Sequence, residues 1–223
     1  MINEIFKTLA LMVIIIIGVI SLSAINDHML ASNTRSALSS VVKINNNCSA
    51  IVINGDRLLT AAHCVKDDKN KKGSFKFEEY TGTVLASQQE YFYDFIKSDE
   101  KKDLALLSIR DKSLDLPVIN IASSLKANEG DEVFAIGYPG GYIRTITSGL
   151  YNGKQVLGEI IRTRSTPAIF GGNSGGALLQ RTGVSYELIG VTSAVLTAGL
   201  QTVPHMNLSV TLEDIKEFLK DAK

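Results

Sequence analysis

"AIFGGNSGGALL", Ala168–Leu179, sets four glycines around one serine, Ser174, and then runs into an apolar stretch of strand character. Glycine loses more backbone entropy on folding than any other residue, so such a cluster marks positive φ or the close approach of another group. Two readings follow. The glycines belong to a surface loop of no special role, or something must come close to these peptide N–H groups, as an oxyanion does beside a nucleophilic serine.

A nucleophilic serine needs a base, and the base needs an orienting acid. Of the three histidines, His28 lies in a polar lead-in and is expected to be solvated, and His205 falls inside an expected strand. His63, in "LLTAAHCV", follows a strand, where a turn holds an imidazole either rigidly in a cleft or for structure alone. Asp103 heads the apolar run "DLALLSI". A carboxylate there either caps the strand or accepts the imidazole N–H and leaves the other ring nitrogen free as a base. The chain order His63, Asp103, Ser174 is that of trypsin rather than subtilisin.

The surrounding pattern is all-β. Short apolar or alternating runs recur at 40–44, 49–53, 57–60, 74–78, 83–87 and 104–109, with Asn54-Gly55 as a hairpin turn. A second series covers 132–138, 143–150, 158–164, 176–180, 187–195 and 202–210, turned at Asn152-Gly153 and at 181–183. Two sets of six strands predict two small packed barrels, 40–120 and 121–223. Leu212, Ile215, Phe218 and Leu219 recur at helical spacing behind Thr211, a good cap, so one terminal helix should dock on the second barrel.

The 223 residues, 45% of them apolar, suffice to close real cores. Twenty-three basic and 23 acidic side chains leave no excess to neutralise phosphates, which argues against a nucleic-acid partner. The basic run 66–72 lacks interleaved aromatics and reads as a solvated loop. "LALMVIIIIGVISL", Leu9–Leu22, has the length of a signal-peptide core. It is expected either to be cleaved near Ser23 or Ala24 or to remain as a membrane anchor, with 25–39 a flexible lead-in. In either case the folded part is exported. In an oxidising compartment Cys48 and Cys64 either form a disulfide or remain two buried thiols.

"TAAHC", "DLALL" and "GNSGGAL" together resemble the chymotrypsin-fold (trypsin-like) serine peptidases over about residues 40–220. "LPVINIASSLKANEGDEVFAIGYPGG" and "LIGVTSAV" bring the resemblance closest to the protease domain of the HtrA/DegP family. With the sequence ending at Lys223, the PDZ domain of that family is expected to be absent. The resemblance implies two six-stranded Greek-key barrels with the active site between them. It implies Ser174 as nucleophile, His63 as general acid and base, and Asp103 as its orienting carboxylate. The oxyanion hole would be Gly172, Asn173 and Ser174, with Gly175 and Gly176 letting the strand pack close behind. No metal or cofactor is implied. Polypeptide substrates would bind in extended form along Thr192, Ser193, Ala194 and Val195.

By position in the family, Ala168 falls at the base of the specificity pocket and Val195 on its wall, which predicts small or medium aliphatic side chains before the cut. His205 either reaches the same pocket or sits at a strand end. The Cys48 and Cys64 pair resembles the disulfide flanking the catalytic histidine in animal trypsins. Asn173 occupies the place of the buried aspartate that pairs with a new N-terminus in trypsin-type zymogens, so activation by trimming is not expected.

Two other classes fit part of the pattern. Residues 172–176 also match the G-x-S-x-G elbow of α/β-hydrolase esterases, but that fold needs acid and histidine after the serine and an alternating strand and helix pattern. A non-catalytic polypeptide-binding module on the trypsin-like scaffold would be expected to have lost a triad member.

Overall fold

In the computed structural model, residues 2–44, 47–68, 73–81, 84–198 and 201–221 are described. The chain opens with a helix, α1 (Ile2–Ser39), followed by β1 (Val41–Ile44), β2 (Cys48–Asn54) and β3 (Arg57–Thr60). A 3-10 turn (Ala62–Asp68) leads to β4 (Gly73–Thr81), β5 (Val84–Asp99) and β6 (Leu104–Ile109). These six strands close into a barrel in the order β1-β2-β3-β6-β5-β4. Placing β4 beside β1 makes the first four strands a Greek key.

The second half carries β7 (Asn120–Ile121), β8 (Glu132–Gly137), β9 (Thr145–Leu157), β10 (Ile160–Ser165), β11 (Ala177–Thr182), β12 (Ser185–Ala198) and β13 (Gln201–Thr211). They run in the order β11-β8-β9-β10-β13-β12-β7, and a further β11–β12 pairing joins six of them into a ring. Here too the fourth strand returns beside the first, and the two-barrel, all-β expectation holds.

Strand periodicity explains how the halves join. Val42, Ile44, Ala50, Val52, Leu58, Leu107 and Ile109 pack with Phe75 and Tyr93 in one cluster. Residues of the opposite parity, Val41, Ile51, Leu59, Leu104 and Leu106, pack instead with Ile136, Tyr138, Leu179 and Val191 of the second half. Because successive side chains of a strand point to opposite faces, stretches buried on both faces are apolar along their length, as "AIV" (50–52) and "LALL" (104–107) are. Each such Leu, Ile or Val contributes about 1.5–3 kcal/mol on burial.

The terminal helix α2 (Leu212–Leu219) buries Leu212, Ile215 and Phe218, and the Thr211 hydroxyl accepts from the Asp214 N–H, as its spacing predicts. It also reaches the first barrel: Lys102 Nζ lies 2.7 Å from Glu217 and 3.6 Å from Asp214, and Lys97 Nζ sits 4.5 Å from the centre of the Phe218 ring.

Two expectations need correction. Segment 25–39 is not a flexible lead-in but the last part of α1. Leu30 and Ala37 pack against the core, Asn33 Nδ2 donates to Val184 O (2.9 Å), and the Thr34 hydroxyl bonds Tyr186 OH (3.2 Å). The spacing 30, 33/34, 37 makes one helical stripe against the second barrel, hidden in sequence by the polar residues between. Asn152-Gly153 is not a turn. It forms a bulge inside β9, with Gly153 at φ 74°, and the chain reverses after Leu157. The two-residue strand β7 was not expected. Of the basic run 66–72, residues 69–72 lie outside the described residues.

Thr211→Ala should cost about 1 kcal/mol. That lowers Tm by roughly 2–4 °C for a chain of this size, read by thermal denaturation.

Candidate active site

Two barrels bring together residues far apart in the chain. His63 lies in the 3-10 turn after β3, anchored by the fully buried Ala61 and Ala62. Asp103 immediately precedes β6 with φ 60°, a left-handed conformation costing about 1–2 kcal/mol for an L residue. Its hydrogen bonds offset that cost. The His63 backbone N–H donates to Asp103 Oδ1 (3.0 Å), and the ring Nδ1–H reaches both carboxylate oxygens at 3.0 Å. From the second barrel the Ser193 hydroxyl donates to Oδ2 at 2.6 Å. With Nδ1 so engaged, the ring's free lone pair is on Nε2.

The carboxylate hydrogen bond holds the His63 imidazole above its ordinary pKa of 6.5, against an opposing effect of burial. For Asp103, burial pulls the carboxyl upward, but the hydrogen bonds from His63 and Ser193 outweigh it and leave the pKa below 3.8. At neutral pH Asp103 is therefore ionised.

Ser174 sits in the glycine-rich turn, its hydroxyl donating to Ser193 O at 3.3 Å. Among the described residues it makes no hydrogen bond to His63. The turn is pinned at many points. Asn173 N–H donates to Phe170 O (3.0 Å), Gly175 N–H to Thr192 O (2.7 Å), Gly176 N–H to Asn173 O (2.8 Å), and Ser49 N–H to Ser174 O (2.8 Å). The N–H groups of Gly172 and Ser174 donate to nothing among the described residues. Gly171 O accepts from Gly140 N–H (2.6 Å), so the 171–172 peptide turns its other end, the Gly172 N–H, the opposite way. Gly172 stands at φ 101°, and a Cβ there would strike Tyr138 O; one on Gly175, at φ 80°, would strike Thr60 Oγ1 and Ser49 O.

Three contributors escape sequence reading. Ser49, read only as a strand residue, donates through its hydroxyl to Gly172 O (2.8 Å) and accepts from Tyr138 N–H (3.0 Å). Gly140 fixes the 171–172 peptide. Ser193, expected only to line the substrate groove, also holds Asp103. No local signal marks Ser49 or Ser193, whereas the Gly140-Gly141 pair does announce an unusual backbone.

Of the expected groove, Thr192 is buried and its N–H donates to Gly176 O (2.8 Å), while Ala194 is exposed and Val195 half-buried. Ala194 and Val195 pair with Leu208 and Asn207 of β13, and β11 reaches along β12 only as far as Val191. Beyond it the other edge of β12 carries no strand among the described residues. Ala168 is exposed, its carbonyl accepting from Thr147. His205 is not gathered with the triad residues: it is exposed at φ 58°, its Nδ1 3.0 Å from Thr166 O. Cys48 and Cys64 form a disulfide beside His63, which settles the choice between disulfide and free thiols. A cavity of about 410 Å³ lies elsewhere, lined by the Lys101–Glu159, Lys102–Glu217 and Lys154–Glu213 ion pairs.

A trypsin-like peptidase domain matches residues 48–191, which hold all of His63, Asp103 and Ser174. This chain belongs to the trypsin-like peptidase family. It is 31% identical over 183 residues to serine protease HTRA1 of Xenopus tropicalis, covering 78% of this chain and 35% of that protein. It is 39% identical over 120 residues to the periplasmic pH-dependent serine endoprotease DegQ of Escherichia coli (strain K12), covering 52% and 26%. The chain thus spans about a quarter to a third of the length of curated relatives it matches, 24%, 35% and 34% of three of them. Two solved structures share the fold. One is an HtrA-type protease, AlgW, with a serine-to-alanine change and a tripeptide (TM-score 0.67, 21% identity, 87% of this chain and 64% of that one). The other is an inactive serine-to-alanine form of Rv3671c from M. tuberculosis H37Rv (TM-score 0.64, 20% identity, 86% and 88%).

In this member of the trypsin-like peptidase family the His63–Asp103 pair carries a definite pH dependence. A histidine with a raised folded pKa stabilises the fold fully below its unfolded value of about 6.5, and that contribution fades as pH rises through the folded value. The depressed Asp103 carboxyl contributes above about 3.9 and loses its contribution as pH falls through its lower folded value. An NMR titration should place the His63 midpoint above 6.5, and Asp103→Asn should lower it. A midpoint unmoved by Asp103→Asn would show that the pair does not couple.

Proposed function

We propose that this protein is a serine endopeptidase that cleaves polypeptides by acyl transfer, working outside the cytoplasm and held at a membrane by α1. The observation that carries the reading is the Asp103 carboxylate, which takes donors from His63 in its own barrel and from Ser193 in the other, together with the N–H groups of Gly172 and Ser174, which donate to nothing among the described residues. In this mechanism His63 Nε2 takes the Ser174 hydroxyl proton as Oγ attacks the scissile carbonyl. The Gly172 and Ser174 N–H groups stabilise the oxyanion, worth about 3–4 kcal/mol per donor in comparable sites. His63 then returns the proton to the leaving amine, and water, deprotonated by His63, releases the acid from Ser174 and restores the hydroxyl.

The substrate adds a strand along the open edge of β12 at 193–195. Ala168 and Val195 favour Ala, Val, Ile or Thr before the cut, since a Lys or Arg would find no carboxylate partner there. Asn173 is 6% exposed and offers a neutral amide where an ion pair would otherwise form, so the turn needs no newly cut N-terminus. The membrane assignment is supported by α1, which has an apolar stretch whose side chains from Met12 to Leu22 lie exposed.

A fluorophosphonate probe should label Ser174, and His63→Ala should abolish labelling. Ser174→Ala should lower peptide turnover about 10⁴- to 10⁶-fold. An intact chain that neither takes the probe nor cleaves a diverse peptide library would overturn the proposal in favour of a binding module.

A further inference from the structure

The disulfide stands against the catalytic base, and that position gives its two sulfurs a second chemistry. Ligand atoms of Cys48, His63 and Cys64 all lie within 4.8 Å of one another. We infer that, once the disulfide is reduced, Cys48, Cys64 and His63 form a three-ligand zinc site that shuts the active site. Two thiolates and an imidazole are the ligand types that select this borderline-soft cation, and three protein ligands leave a fourth tetrahedral position for water.

The geometry is close to what such a site needs. Zn–S bonds of about 2.3 Å and Zn–N bonds of about 2.0–2.1 Å set neighbouring ligand atoms of a tetrahedron roughly 3.5–3.8 Å apart. The Cα atoms of the cysteines are 6.0 Å apart, so side-chain rotation can part the sulfurs without moving either strand or turn. Cys48 is held at the head of β2 and Cys64 in the 3-10 turn beside His63. The imidazole has 48% of its side chain exposed, which leaves a path for the ion.

The same hydrogen bonds that would make His63 a base also prepare it as a ligand. Asp103 accepts the Nδ1–H, orients the ring and raises the basicity of Nε2, an arrangement that outer carboxylates give to metal-binding histidines generally. A zinc ion on Nε2 occupies the lone pair that must receive the Ser174 proton. Metal binding and proteolysis are therefore mutually exclusive at one atom.

The redox step balances with a dithiol as reductant. Its thiolate attacks one sulfur, a mixed disulfide forms, and the second thiol expels the remaining cysteine. The protein gains two thiols and the reductant becomes a cyclic disulfide. Zinc binding then releases the two cysteine protons.

The test uses the full chain in detergent, reduced with a dithiol that is removed under anaerobic conditions before zinc is titrated against a chromophoric competitor. The reduced chain should bind one zinc per chain, and the oxidised chain should not compete for the metal at the same concentration. His63→Ala and Asp103→Asn should each weaken binding to the reduced chain, the latter about 10- to 100-fold as for other outer-sphere carboxylates. Ser174→Ala should bind as the unsubstituted chain does, which separates this site from any failure of the peptidase reading. Cobalt in place of zinc should give thiolate-to-metal charge-transfer absorption. Equal affinity in the reduced and oxidised chains overturns the site. So does binding indifferent to both His63→Ala and Asp103→Asn, the result expected if two thiols of an unfolded chain held the metal.

Discussion

Everything at the candidate active site hangs on one carboxylate that is held from both barrels. Asp103 rises from the first barrel in a left-handed turn, takes two donors from His63 on its own side and a third from Ser193 across the cleft. A carboxylate is an acceptor only, so each of these donors must be aimed at it. Aiming them requires the barrels to dock in one register. The hydrophobic contact of Ile51, Leu59, Leu104 and Leu106 with Ile136, Leu179 and Val191 supplies that docking. The hydrogen bonds supply its precision.

A second set of contacts performs the same task for the glycine-rich turn. Ser49 belongs to the first barrel, yet its N–H, hydroxyl and carbonyl meet Ser174, Gly172, Tyr138 and Thr60. The peptide before Gly172 is turned by Gly140, in the short turn that follows β8. Electrostatic stabilisation of a developing charge works only when donors are already oriented. Here the orientation is imposed by groups from three separate strands and one tight turn.

This division explains what could be read in advance. "TAAHC", "DLALL" and "GNSGG" carry their chemistry within a few residues, because a turn, a strand head and a run of glycines are local objects. Strands β3 and β6 fall where their apolar runs place them, since Leu58 and Leu59, and Leu104, Ala105, Leu106 and Leu107, are buried on both faces of their strands. Ser49 and Ser193 are ordinary strand residues until a partner about ninety or more residues away meets them. The helix at 25–39 was missed because the residues that meet the barrel, Leu30, Asn33, Thr34, Ala37 and Leu38 among them, form a stripe too polar to announce itself. Asn152-Gly153 has ideal turn chemistry, and the positive φ it offers is used by a bulge instead.

The docked end of α1 has a geometric consequence. Because the helix runs without a break from the apolar stretch into its contacts with Val184 and Tyr186, it acts as a crankshaft rather than a leash. Each residue in an α-helix advances the axis about 1.5 Å and turns it about 100°. Adding one residue between Leu22 and Leu30 would swing the cleft that holds His63, Asp103 and Ser174 by more than a quarter-turn about the helix axis, at almost unchanged height. Adding four would restore nearly the same facing, raised by about one helical turn. In a bilayer, the compass bearing of the cleft would therefore be written in the residue count of a segment that touches no substrate.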